Sequence, residues 1–202
     1  MTASAPAELF LHASAAVVEG GAMLFLGHST SGKSTIVRML AEEFPTLADD
    51  AVFVARGRDG LWRVVDGGFR FGQGWDLADW QASVRRRAAA AAGVPVRGCW
   101  RLHKAPHVKA EPLEPIALAR MLMDAAMEID VQRTAGRTKR SEPPDADDLL
   151  RERESRRRWF QWVADIARRC PGWNLWFSKG EASAIGGLIV DQYRERRNST
   201  TN

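Results

Sequence analysis

The residues best suited to do chemistry lie in one short stretch, residues 27–34, which read Gly-His-Ser-Thr-Ser-Gly-Lys-Ser. They fit the phosphate-binding loop pattern G-x-x-x-x-G-K-[ST] at every defined position. Glycines at both ends let successive backbone N–H groups point inward at phosphate oxygens, and a helix that begins near Lys33 adds its positive end. The stretch therefore predicts a site for the phosphates of a nucleotide.

Each part of the loop has its own role in this prediction. Lys33 reaches the β- and γ-phosphates, and the Ser34 hydroxyl is a ligand of the Mg²⁺ that bridges them. We expect ATP as the nucleotide, and the residues expected to surround it are Gly27, Ser29, Thr30, Ser31, Gly32, Lys33, Ser34 and Thr35. The alternative is a turn rich in glycine and serine that matches the pattern by chance.

Two adjacent carboxylates, Asp49 and Asp50, follow the loop after about one helix and one short strand. Phosphoryl transfer needs an acidic group near Mg²⁺ and a residue that orients or deprotonates the attacking oxygen. A strand that ends beside the loop would bring one carboxylate to the metal and the other to the acceptor. The alternative is a surface pair that caps a turn.

The flanking segments agree with the motif. Residues 22–26 are apolar and predict a strand into the loop, and residues 35–40 carry apolar side chains at helical spacing. Residues 9–18 alternate loosely and predict one earlier strand, which a turn at residues 19–21 joins to the loop's own strand as a hairpin. The loop is thus expected to lie between an antiparallel hairpin and a helix.

The rest of the chain predicts a domain of alternating strands and helices. Further strands are expected at residues 46–50, 51–55, 61–65, 100–103 and 173–177, and further helices at 75–92, 115–128, 159–166 and 181–196. Residues 133–158 are mostly charged or helix-breaking and predict a mobile charged loop, either solvated surface or a cover that supplies a cation to the site. One domain is expected over residues 1–202, with tails at 1–7 and 197–202.

Composition excludes several classes of protein. The chain has 202 residues, 45% of them hydrophobic, and a formal net charge of +4 that favours anionic ligands. Its arginine runs lack the interleaved aromatic residues of a nucleic-acid-binding protein, and Cys99 and Cys170 have no spacing typical of a zinc site or a disulfide framework. No signal peptide or membrane-length apolar run occurs, so we expect a cytoplasmic protein without a nucleic-acid or membrane partner.

The motifs together resemble one enzyme family. A strand bearing His12, the loop at 27–34 and the Leu-Ala-Asp-Asp run at 47–50 are similar to the catalytic domain of HPr kinase/phosphorylase, which shares its fold with ATP-dependent phosphoenolpyruvate carboxykinase. The resemblance covers about residues 9–55 and fades afterwards into a general likeness. It implies an α/β fold with a P-loop kinase core and a mixed β-sheet flanked by helices.

The resemblance also implies roles for individual residues. Asp49 would take the proton from a serine-type hydroxyl, His12 would lie beside Asp49 and tune it, and Lys33 completes the catalytic set. Asp50 would join Ser34 in holding Mg²⁺. Without the resemblance, His12 is more simply an ordinary residue of a strand.

The acceptor stays open at this stage. No L-E-I-R-G-type signature follows the aspartate pair, and the chain begins almost at the catalytic domain, so HPr itself and the reverse reaction are not implied. A serine in a peptide or protein, free serine and another small hydroxyl compound all fit. Two other activities also stay open: an ATP-binding regulatory protein that transfers nothing, and a carboxykinase-like enzyme, for which we identify neither a second metal site nor a substrate-binding arginine. Because the HPr enzymes are hexamers, a homo-oligomer is a further open question.

Overall fold

The structure is a computed structural model that describes residues 7–66, 93–135 and 146–199. The strands in these ranges are β1 Glu8–Leu11, β2 Ser14–Val18, β3 Gly21–Leu26, β4 Thr46–Ala48, β5 Val52–Arg56, β6 Trp62–Asp66, β7 Val94–Lys104, β8 Lys109–Leu113 and β9 Gly172–Phe177. The helices are α1 Lys33–Leu40, α2 Pro115–Ala135, α3 Ala146–Arg169 and α4 Ala182–Ser199. The helix predicted at 75–92 lies outside the described residues.

The strands form one sheet with two parts that share the long strand β7. In the first part, β1, β5, β6 and the beginning of β7 pair in that order, all antiparallel. In the second part the order is β4, β2, β3, β7, β9, β8, and the central strands β3, β7 and β9 are parallel. The chain is therefore an α/β protein with a mixed sheet, as predicted, although most of its strand pairs are antiparallel.

Helices cover both faces of the second part of the sheet, because its central strands are apolar on both sides. On β3, Leu24 and Leu26 belong to one buried cluster and Met23 and Phe25 to the other. The first cluster includes side chains of α2 and α3, and the second includes side chains of α1 and α4. Within the described ranges, no helix is both long enough and apolar enough to cross a bilayer.

Two aromatic side chains on neighbouring parallel strands stack inside the second cluster. The rings of Trp100 on β7 and Trp173 on β9 lie 4.7 Å apart between centroids, with 17° between their planes. Both side chains are buried. The Trp173 indole N–H donates to Gln192 on α4 at 2.8 Å, which connects the stacked pair to that helix.

The prediction of one strand over residues 9–18 is wrong, because the chain leaves β1 at Leu11 and starts β2 at Ser14. β1 pairs with β5 in the first part of the sheet, whereas β2 pairs with β3 and β4 in the second. At the break, the backbone N–H of His12 donates to the carbonyl of Ala125 on α2 at 3.0 Å. Buried and half-buried residues alternate in β1, whereas nearly every residue of β2 is buried, so the loose alternation over 9–18 did not reveal the break.

The turn that joins β2 to β3 is the predicted one. Glu19 and Gly20 both have positive φ angles, of 48° and 78°, and they are the two residues between the paired ends Val18 and Gly21. This conformation at both central residues is typical of the tight turn that matches the twist of a hairpin. The loop at 27–34 is thus reached through an antiparallel hairpin, as the sequence predicted.

Several predicted boundaries need correction. In the segment 133–158, expected to be a mobile charged loop, residues 133–135 belong to α2 and residues 146–158 belong to α3. The last helix, α4, continues into the expected tail as far as Ser199. Pairs such as Glu152 and Arg156 stabilise the first part of α3, which is mostly exposed and has few apolar residues. The strand β8 was not predicted, and it contains Pro112, which an edge strand tolerates.

Asp165 connects α3 to the first part of the sheet. Its Oδ2 accepts a hydrogen bond from the indole N–H of Trp62 on β6, and its Oδ1 accepts one from Arg169, both at 2.9 Å. Arg56 on β5 lies 3.6 Å from the same carboxylate. Burial alone would raise the pKa of Asp165, but the hydrogen bonds from Arg169 and Trp62 hold that pKa below its ordinary value.

We expect Asp165→Asn to lower the free energy of unfolding at pH 7 by about 1–3 kcal/mol, because hydrogen bonds to a charged group are lost. The folded-state pKa lies below the unfolded value, so the carboxylate stabilises the fold above that value and loses the effect as pH falls through the folded-state pKa. The difference in free energy of unfolding between wild type and variant, measured by urea unfolding, should therefore become smaller at acidic pH. Asp191→Asn, at an exposed position of α4, is the control. A gap that does not change with pH would contradict this account.

Candidate active site

The loop at 27–34 connects the end of β3 to the first residue of α1. The two glycines of the loop pattern, Gly27 and Gly32, have φ angles of 153° and 105°. A Cβ on Gly27 would lie 2.6 Å from the Ser31 hydroxyl, and one on Gly32 would lie 2.8 Å from the ring of Phe177. Both positions therefore require glycine, for the backbone conformation and for space.

The effect of Gly32 can be measured. We expect Gly32→Ala to destabilise the fold by about 1–2 kcal/mol or more, because a left-handed conformation is unfavourable for alanine and Phe177 must move. Gly187→Ala is the control: Gly187 lies in α4 with nothing within 4 Å of its added Cβ, so alanine there should stabilise the helix by about 0.5–1 kcal/mol. Urea unfolding of both variants tests the pair, and a Gly32→Ala protein as stable as wild type would contradict the strain.

Lys33 is buried over the loop, with 6% of its surface exposed. Its Nζ donates hydrogen bonds to the carbonyls of Gly27 at 2.8 Å and His28 at 3.2 Å. Burial lowers the pKa of Lys33, while the negative charges of Glu128 and Asp50 act in the opposite direction. The ammonium group is thus held at the loop, where a bound phosphate would be an anionic partner.

Two hydroxyls brace the junction between the loop and α1. The buried Ser14 hydroxyl on β2 donates to the Lys33 carbonyl at 3.0 Å. The Ser34 hydroxyl lies 3.5 Å from the backbone carbonyl of Asp49, just after β4 ends at Ala48. The aspartate pair therefore comes back beside the start of α1, as its spacing from the loop predicted.

His12 connects two carboxylates from distant parts of the chain. Its Nε2 lies 3.1 Å from Oδ1 of Asp50, and its Nδ1 lies 2.7 Å from Oε1 of Glu128 on α2. Only 8% of the His12 surface is exposed. Each ring nitrogen therefore lies within ion-pair distance of a carboxylate oxygen. The arrangement is a carboxylate–imidazole–carboxylate chain.

A cavity of about 750 Å³ lies in front of the loop, and we refer to it as the nucleotide cavity. It is lined by His12, Ser29, Thr30, Gly32, Lys33, Ser34, Thr35, Asp50, Lys104, Ala105, Phe177, Ser178 and Lys179. The carboxyl ends of the parallel strands β3, β7 and β9 lead into it, which is where ligands bind in α/β sheets. Its volume suits a nucleotide, and two lysines beyond the loop add positive charge.

The structure places most of the predicted residues together, but on two sides of the loop. Eight of them line the nucleotide cavity: His12, Ser29, Thr30, Gly32, Lys33, Ser34, Thr35 and Asp50. Gly27 and Ser31 line a second cavity of about 590 Å³, which lies between the loop, β7 and α2. We refer to it as the rear cavity. Asp49 lines neither cavity, and its Oδ1 is shielded from solvent.

Ser34 and Asp50 supply hard oxygen atoms of the kind that Mg²⁺ prefers. Within the described ranges, no group of three or more His, Cys, Asp or Glu side chains is arranged to hold a metal ion. In nucleotide sites, Mg²⁺ is typically held by one or two protein ligands together with phosphates and water. Ser34 and Asp50 both line the nucleotide cavity, so their oxygens are the ones that would hold such an ion.

Sequence reasoning missed Glu128 and the rim lysines Lys104 and Lys179. Glu128 stands between Met127 and Ile129 in a helix predicted to be buried. A charge at such a position was the one available signal, since a charged side chain in an apolar helix needs a partner. The partner, His12, could not be identified without the packing of α2 on the break between β1 and β2.

No family model matches the chain, and no curated protein matches it. Among solved structures, the chain is similar to the HPr(Ser) kinase/phosphatase from Coxiella burnetii, with a TM-score of 0.41 and 10% sequence identity. The alignment covers 95% of this chain and 94% of that chain. A likeness this distant carries no functional argument, so the function must be inferred from the residues of the site.

Proposed function

We propose that this chain is an ATP-dependent kinase that transfers the γ-phosphoryl group to a hydroxyl acceptor, with a serine side chain as the acceptor. One observation carries the proposal: Lys33, Asp50 and His12 converge on the nucleotide cavity. A cation that can bind phosphate and a carboxylate 3.1 Å from His12 then lie in the same cavity. Binding ATP alone needs no general base, whereas transfer to a hydroxyl needs a group that orients or deprotonates the acceptor.

The loop and Lys33 bind the phosphates in this proposal. Backbone N–H groups of residues 29, 30 and 32–34 and the Lys33 ammonium contact the phosphate oxygens, whereas the Ser31 N–H donates to the His28 carbonyl. Lys33 exchanges its bonds to Gly27 and His28 for bonds to phosphate. Ser34 would hold Mg²⁺, which supplies charge neutralisation at the phosphates when bound. The contribution of these groups is positioning and electrostatic stabilisation.

We assign the base to Asp50 rather than to Asp49. Asp50 lines the nucleotide cavity and contacts His12, whereas Asp49 contacts Ser34 through its backbone carbonyl. In the transfer, the acceptor oxygen forms a bond to the γ-phosphorus as the bond from that phosphorus to the ADP oxygen breaks. The hydroxyl proton passes to Asp50, and His12 holds that carboxylate in place. The Mg²⁺ role that the sequence suggested for Asp50 competes with this one.

The test is transfer of γ-labelled phosphate from ATP in the presence of Mg²⁺. Wild type and Lys33→Ala are compared on serine peptides, on the same peptides with alanine for serine, and on free serine. Label that moves to a serine hydroxyl only with wild type supports the proposal. Tight ATP binding without transfer to any acceptor, in these mixtures or in a cell extract, would instead favour an ATP-binding regulatory protein.

A further inference from the structure

We propose that two copies of this chain associate through the outer face of α2 and α3 and form a symmetric dimer. The face contains an apolar groove between the first turns of α2 and the last turns of α3, which we call the α2–α3 groove. This interface is independent of the proposed kinase function, because the surface would bind a second copy whether or not a phosphoryl group is transferred.

α2 and α3 carry an unusual share of exposed apolar side chains. Among the residues that the structure describes, the large apolar side chains that are exposed all belong to these two helices: Ile116 at 83%, Val131 and Phe160 at 63% and Leu150 at 56%. Such side chains are ordinary when they are scattered singly over a surface. Several of them on one pair of packed helices indicate an interaction site.

The α2–α3 groove combines a recess with side chains that project beside it. It measures about 390 Å³, and its apolar lining includes Ile116, Ala119, Met123, Phe160, Ala164 and Ala167. Ile116 and Phe160 are the strongly exposed members of this lining, whereas the three alanines are small and leave room for a side chain from outside. One patch therefore presents both an apolar projection and an apolar recess, so an identical patch can fit against it.

The charges of the groove also complement each other. Arg120 and Asp124 line it, lie one turn apart on α2 and are both exposed. Within the described ranges, neither side chain forms an ion pair. The third charged side chain of the groove, Arg168, lies 3.6 Å from Asp165 of its own helix. The patch thus offers one positive and one negative group to a partner.

A twofold axis would pair these two charges twice. In a symmetric dimer both copies use the same patch, so a contact between Arg120 of one copy and Asp124 of the other is repeated in the opposite direction. A partner of a single charge would leave either Arg120 or Asp124 unpaired. The charges therefore favour a second copy of this chain over a uniformly acidic or basic protein.

The outer face of the two helices is large enough for a stable dimer. α2 has 21 residues and α3 has 24, so this face is about 30 Å long and about 20 Å wide. Its area is of the same order as the ~800 Å² that each partner contributes to a standard interface. An apolar centre with charged groups at its border is also the usual composition of such an interface.

The first measurement is sedimentation velocity of the full chain over a wide range of concentrations. We expect the monomer of 22.4 kDa to be replaced by a species of twice that mass as the concentration rises. A chain that sediments as a monomer at every concentration up to ~100 μM would overturn the inference.

A substitution in the groove then tests where the contact lies. Phe160→Glu should weaken self-association about tenfold or more, because it introduces a charge into the apolar centre of the interface and does so in both copies. Gln161→Glu is the matched control, since it adds the same charge at the next position of α3, which is exposed and does not line the groove. The control should associate as wild type does. Equal association of the two variants would overturn the inference.

A charge exchange on α2 tests the symmetry of the contact and leaves the apolar centre unchanged. Arg120→Asp and Asp124→Arg should each weaken self-association about tenfold, because each variant brings like charges together across the axis. An equimolar mixture of the two variants should associate again, since every contact then joins an aspartate with an arginine. Far-UV circular dichroism and urea unfolding verify that both exposed substitutions keep the fold. Folded variants that associate no better when mixed than alone would overturn the inference.

Discussion

Lys33→Ala is expected to abolish detectable phosphoryl transfer and to weaken ATP binding at least about tenfold. The substitution removes the one loop side chain whose ammonium is buried over the phosphate site, and loss of a single preorganised donor costs about 100- to 1,000-fold in kcat. Titration with a fluorescent ATP analogue and the labelled-phosphate assay measure the two effects. Lys179→Ala, at an exposed rim position, should change both by much less.

The fold should tolerate the loss of the Lys33 charge. Burial lowers the pKa of Lys33, so the charged side chain costs stability at neutral pH, and this cost fades as pH rises from the folded-state pKa toward the unfolded value of 10.5. Lys33→Met keeps the length of the side chain without its charge, and it removes the hydrogen bonds to the Gly27 and His28 carbonyls. We therefore expect an unchanged or higher Tm at pH 7. A clear drop in Tm would mean that loss of transfer reflects unfolding.

Asp50→Asn is expected to lower kcat by about 100- to 10,000-fold while ATP binding is kept, which is the usual contribution of a general base. The amide keeps the shape of the side chain and can still contact His12, but it cannot accept the hydroxyl proton. Asp49→Asn is the matched comparison, because the same change is made one residue earlier, where the side chain lines neither cavity. Its effect on kcat should be much smaller.

The ranking of these two variants decides between two assignments. If Asp49→Asn is the more damaging, the base is the residue that the family resemblance suggested, and our assignment to Asp50 is wrong. If Asp50→Asn also makes ATP binding insensitive to Mg²⁺, the carboxylate is a metal ligand rather than the base. Binding titrations with and without Mg²⁺ distinguish this case.

The local part of the site could be predicted because its signals are local. Gly27 and Gly32 have φ angles that other residues rarely adopt, so a short run of consecutive residues is enough to identify the loop. The strand before it and the helix after it have their own periodicity. The return of the aspartate pair to the loop follows from the length of one helix and one strand, and the contact between Ser34 and Asp49 agrees with it.

The remainder of the site depends on packing between distant segments. His12 contacts Asp50 and Glu128 because the chain breaks between β1 and β2 and α2 crosses that break. Periodicity describes one element at a time and cannot show which helix packs on which strand. The charged segment before residue 159 was misread for a related reason, since an exposed helix held by charge pairs such as Glu152 and Arg156 has few apolar residues to reveal it.

The stacked Trp100 and Trp173 also give the protein an intrinsic spectroscopic signal near the cavity. Two indole rings 4.7 Å apart couple their electronic transitions, and the resulting circular dichroism signal depends on how the rings are oriented relative to each other. Their strands, β7 and β9, run on to Lys104 and Phe177 at the nucleotide cavity. A ligand that shifts one strand against the other would alter this exciton signal, so occupancy of the cavity could be followed in the native protein without an attached dye.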